Sequence, residues 1–109
     1  MTKYNVREID EMRELTRLDI KYNSYVKGWS QNYWRNGPDE KVVESRLMTY
    51  MQNGTKPREI KKELKKRIKK AKAEANRLES LDYNEAGLDI RTTIGDLEYS
   101  MRGIKERND

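Results

Sequence analysis

Histidine, cysteine and phenylalanine are all absent from the 109 residues. Without cysteine there is no disulfide, no thiol nucleophile and no zinc site of the cysteine type. Without histidine the commonest acid–base catalyst and metal ligand is missing. The remaining Lys, Asp, Glu, Ser and Tyr residues form no nucleophile–base constellation visible in the sequence, and there is no Walker loop, no GxGxxG and no internal repeat. The expectation is therefore a protein that is not an enzyme, with no cofactor, no metal and no small-molecule substrate. Long apolar runs are missing too. MTKYNVREIDEMRE lacks a signal-peptide core, and no window approaches the roughly 18 apolar residues of a membrane span. A soluble, cytoplasmic protein without a membrane partner is expected.

Core-forming side chains are also scarce. Leu, Ile and Val together are 19 of 109 residues, close to the roughly 20% below which chains tend toward disorder. The net charge of +5 is too modest to push the chain there by itself. The composition predicts an ordered but core-poor fold, for which a homo-oligomer or a heterologous partner would supply further buried surface.

The charge that is present is concentrated. Between Lys56 and Lys72, ten basic side chains face two acidic ones, Glu59 and Glu63, a local charge of +8 that leaves −3 for the rest of the chain. On a helical wheel Ile60, Leu64, Ile68, Ala71, Ala75 and Leu78 form one narrow stripe, with the lysines spread over the far side. Pro57 suits a first helical turn, and Glu59 places a carboxylate at the positive end of the helix dipole. Like charges three and four residues apart repel by a few tenths of a kcal/mol per pair, so a counter-anion stabilises such a face. The candidate polyanion-binding residues are Lys56, Arg58, Lys61, Lys62, Lys65, Lys66, Lys69, Lys70 and Lys72.

Upstream, Val6, Ile9, Met12, Leu15, Leu18, Tyr22, Tyr25, Val26, Trp29 and Tyr33 step by three or four along a long first helix, with Ile20 off the stripe. Its acids Glu8, Asp10, Glu11 and Glu14 alternate with Arg7, Arg13 and Arg17, the pattern of a solvated face with local ion pairs. Asn23, Ser24 and Gly28 weaken its middle. Four aromatics of the Tyr22 to Trp34 cluster share the apolar stripe; Trp34 lies off it and is the one expected at a partner surface. Asn36 and Gly37 close this helix, Pro38, Asp39 and Glu40 open a second that buries Val43, Leu47, Tyr50 and Met51, and Asn53-Gly54 stops it. A helix-turn-helix reading around Gly54 is resisted by Tyr50, Asn53 and Thr55, where that motif favours small and apolar residues.

Beyond Leu78 the apolar phase breaks, and Asp82 with Glu85 has the spacing of a capping box. Tyr83, Gly87, Ile90, Ile94, Leu97, Met101 and Ile104 then repeat with alternating four and three spacing, a seam suited to folding back on the basic helix. Glu74 to Asp109 is net −4, so this arm can partly neutralise the basic helix within the molecule or across a dimer.

The expected fold is all-α: a small single-domain bundle of about four helices, roughly 5–35, 38–53, 57–79 and 83–106, the last two an αα-hairpin with coiled-coil-like packing. The expected function is non-catalytic binding, through the lysine-rich helix, of a polyanion: DNA or RNA backbone or a nucleoprotein, with little sequence specificity. The competing expectation is a protein-interaction module, an inhibitor or assembly factor working on an acidic protein surface or through the aromatics or the C-terminal seam. The composition suits an accessory protein of a phage or mobile element.

Overall fold

A computed structural model describes residues 3–23 and 39–108. Four helices are present among them: α1 (Val6–Asn23), α2 (Glu40–Gln52), α3 (Pro57–Ser80) and α4 (Asn84–Asn108), with no strand. The expected passage of the first helix through 24–35, the aromatics Tyr25, Trp29, Tyr33 and Trp34, and the Asn36 to Pro38 turn lie outside the described residues.

Helix boundaries follow from local chemistry. Asn5 caps α1: its side-chain oxygen accepts from the Glu8 N–H at 2.7 Å, and the Glu8 carboxylate accepts from the Asn5 N–H at 3.3 Å. Asp39 caps α2 through the Lys41 N–H. The stop at Asn53-Gly54 is a Schellman turn. Gly54 takes φ 73°, its N–H reaches the Met51 carbonyl, and the Thr55 N–H reaches that of Tyr50. At the start of α3, Pro57 occupies the first turn and Glu59 accepts from the Lys56 N–H at 2.9 Å.

One expected cap is corrected. Asp82 does not open α4; it closes α3 at φ 65°, with its own N–H on the Glu79 carbonyl and the Tyr83 N–H on that of Leu78. This is the same Schellman geometry as at Gly54, filled by a residue type whose short polar side chain tolerates the left-handed region.

The core joins Met12, Leu15, Leu18 and Tyr22 of α1 to Leu47 of α2, Ile60 and Leu64 of α3, and Leu97 and Ile104 of α4. α3 and α4 share the most extensive contact. They run antiparallel, as the pairs Lys72–Glu98 and Glu79–Arg91 require. The seam on α4 is occupied here: Gly87, Ile94, Leu97 and Ile104 are buried, while Tyr83 at its start is exposed. Gly87 is needed for the close approach, because a Cβ there would stand 2.7 Å from Glu79 Cγ and 3.4 Å from the Ala75 carbonyl.

α1 is the central helix, touching the other three. Met12, Leu15, Thr16, Leu18, Asp19, Ile20 and Tyr22 are all buried, which covers roughly 200° of its circumference. Ile20, off the expected stripe, is thus inside, and Val6, on it, is 75% exposed in the first turn. The expected solvated face with local pairs is likewise corrected. Arg13 with Asp10 is a local pair on α1, whereas Arg13 with Glu44, Arg17 with Glu40, Glu8 with Lys56, Glu11 with Lys61 and Glu14 with Arg107 join it to the elements around it. A helix enclosed by three neighbours has no broad solvated side, so its charges meet those of the surrounding elements. α2 packs chiefly on α1 and only slightly on α3, so the two helices around Gly54 do not form the closely paired unit of a helix-turn-helix.

Candidate functional site

The basic helix divides into an inner flank and an outer face. On the inner flank, Lys61 reaches Glu11 at 2.6 Å, Lys56 reaches Glu8 at 3.4 Å and Lys72 reaches Glu98 at 3.7 Å. Lys56 also stands 4.8 Å from the Tyr4 ring centroid. The rise along both helices, Glu8 with Lys56, Glu11 with Lys61 and Asp19 with Arg67, shows that α1 and α3 run parallel.

Arg67 is the most deeply held of the basic residues and was not among the sequence candidates. Its guanidinium binds the carboxylate of Asp19, which is 1% exposed, and donates to the Asp19 carbonyl at 3.0 Å. The Tyr50 hydroxyl donates to the same carboxylate, and Arg46 stands 3.6 Å away. One buried carboxylate thus ties α1, α2 and α3 together. Burial, with the hydrogen bond to Asp19 second, pushes the Tyr50 phenol up to about 12. The position of Asp19 one residue beyond the apolar Leu18 gave no sequence signal for this cluster.

α2 is fixed to α1 by two further pairs. Arg17 grips Glu40 with two hydrogen bonds at 3.0 and 2.9 Å, and Arg13 meets Glu44 at 2.5 Å. The Arg17 guanidinium holds the Glu40 carboxyl below its usual range.

The outer face carries the other six basic residues of the stretch: Arg58, Lys62, Lys65, Lys66, Lys69 and Lys70. All six are exposed, and none has an ion-pair partner among the described residues. At about 100° per residue they centre opposite the buried Ile60, Leu64, Ala71 and Ala75. From Arg58 to Lys70 they cover about 18 Å of helix. Of the two acids in the stretch, both exposed at the edge of the outer face, Glu59 also accepts from the Lys56 N–H. The nine sequence candidates therefore separate: Lys56, Lys61 and Lys72 answer acids of the same chain, and the other six do not. Trp34, the expected aromatic partner residue, lies outside the described residues.

Elsewhere an open groove of about 720 Å³ lies between α1 and α4, lined by Arg17, Arg102, Arg107, Glu14 and Glu106 together with Leu18 and Tyr99. Arg107 meets Glu14 at 3.1 Å within it. Its charges are of both signs, and Arg102 has no ion-pair partner among the described residues. Among the described residues no group of three or more Asp and Glu is placed to hold a metal ion, and no helix is long and apolar enough to cross a membrane. No family model, curated protein or solved structure matches this chain.

Proposed function

We propose that the outer face of α3 binds a polyanion, the phosphate backbone of DNA or RNA or of a nucleoprotein, without catalysis and with little sequence preference. The observation that carries this reading is the set of six exposed cations on one helix face with no ion-pair partner among the described residues. Such a face repels itself, and bound phosphates relieve that repulsion while releasing counterions. Five of the six are lysines, which suit point-charge contact with phosphates better than the bidentate reading of base edges. Over about 18 Å of helix, the face spans the axial rise of about five base pairs of duplex at roughly 3.4 Å each.

The test is a salt-titrated binding assay with duplex DNA, single-stranded DNA and RNA. With about four to six cations engaged on duplex DNA, log affinity falls with log salt at a slope of roughly −4 to −5. Substituting Lys62, Lys66 and Lys69 with Glu removes binding while the helical signal stays. Absence of binding to all three nucleic acids at about 50 mM salt by the folded protein overturns the reading. An interaction module working through the α4 seam has less support, since Ile94, Leu97 and Ile104 are buried within the chain itself.

A further inference from the structure

The side of α4 that faces away from α3 carries its own pattern. Glu85, Leu88, Thr92, Gly95, Tyr99 and Arg102 recur at alternating three and four spacing, which places them within roughly 100° of one another, opposite the buried seam. Leu88 is 64% and Tyr99 76% exposed, and nothing stands within 4 Å of where a Cβ on Gly95 would be. Glu85 and Arg102 are exposed and have no ion-pair partner among the described residues. Two large apolar side chains, an open glycine and two charges of opposite sign without ion-pair partners among the described residues therefore share one exposed helix face, whose Tyr99 and Arg102 end borders the open groove against α1.

Their order has a two-fold character. Glu85 and Arg102, Leu88 and Tyr99, and Thr92 and Gly95 are each spaced equally about the same point, between Thr93 and Ile94. We propose that this face is the contact with a second copy of the chain, α4 lying antiparallel against α4. Leu88 meets the partner's Tyr99, Glu85 pairs with the partner's Arg102, and Thr92 sits opposite the partner's Gly95. An isologous contact makes each of these pairings twice, and self-complementarity of this kind is what closed two-fold symmetry demands. The small residues at the centre let the two backbones approach, and the flanking aromatic and aliphatic side chains supply the apolar area. Antiparallel alignment also sets opposed helix dipoles side by side. The contact uses no residue of the α3 outer face, so it stands apart from polyanion binding.

The segment from Glu85 to Arg102 is about 26 Å long. One helix face per copy puts the buried area at the low end of specific interfaces, so a reversible dimer with a Kd of about 10–100 µM is expected. Sedimentation equilibrium of the full chain, up to about 500 µM, reads it directly. Leu88→Glu and Tyr99→Glu each weaken association at least about 10-fold with unchanged circular dichroism, since both side chains are exposed. Leu88→Gln and Tyr99→Ser serve as milder variants should either glutamate disturb the helix. Glu85→Arg alone and Arg102→Glu alone each place like charges together twice and weaken the dimer, whereas the double swap restores it. A monomer throughout the concentration range overturns the proposal. So does a dimer indifferent to Leu88 and Tyr99, or one that the double swap fails to restore.

Discussion

Arg67 and Lys69 are cations two residues apart on one helix, and their situations are opposite. Arg67 is enclosed between α1 and α2, its guanidinium on the buried Asp19 carboxylate. Lys69 stands on the outer face with no partner among the described residues. Two residues turn a helix by about 200°, which is enough to move a charge from the interior to the surface. The same stretch therefore does two kinds of work. Its inner flank fastens the bundle, and its outer face offers charge that the fold does not use.

Removing the inner anchor is the most damaging way to test that division. Asp19→Ala leaves Arg67 without its carboxylate and Tyr50 without its acceptor; a loss of about 3–5 kcal/mol in chemical denaturation is expected. Lys69→Met should shift stability by less than about 0.5 kcal/mol. Equal effects from the two substitutions would erase the distinction between flank and face. The triple Lys62, Lys66, Lys69→Glu variant should act in the reverse sense, lowering polyanion affinity at least about 100-fold while leaving stability unchanged or raised. The rise would come from new glutamate–lysine pairs one turn apart on the helix.

Alkaline titration sharpens the picture of the interior. Burial pushes both the Tyr22 and Tyr50 phenols up from 10.0 to about 12, so the fold binds their protons more tightly than the unfolded chain does. Their contribution is complete below pH 10 and is lost as pH rises toward about 12. Denaturation midpoints should fall across that window, and Tyr50→Phe should flatten part of the decline. A further contrast concerns glycine. Gly95→Ala should add about 0.5–1 kcal/mol at concentrations where the chain is monomeric, because the site is helical and open. Gly87→Ala should bring no such gain, since its Cβ would displace Glu79 and disturb the pair with Arg91.

Periodicity made α2, α3 and α4 legible to within about two residues at each end. Pro57, the Asn53-Gly54 stop and the four-three spacing of the last helix are local signals, and each operates through the nearest few residues. The segregation of the basic residues from Ile60, Leu64, Ala71 and Ala75 was readable for the same reason, since one helix wheel contains it. The role of Asp82 was not, because its spacing to Glu85 fits an opening cap while its backbone closes the preceding helix.

The sequence by itself determined the helices, the seam and the existence of a cationic face. Only the tertiary structure decided which of the nine candidate cations answer acids within the chain. Lys61 finds Glu11 and Lys56 finds Glu8 because α1 lies parallel to α3. Those residues are about fifty positions apart, beyond the reach of any helical wheel. Asp19 is the clearest case: its neighbours in sequence give no hint that Tyr50, Arg46 and Arg67 converge on it. An ion pair across helices depends on relative placement, which the packing of the whole core fixes and no local pattern encodes.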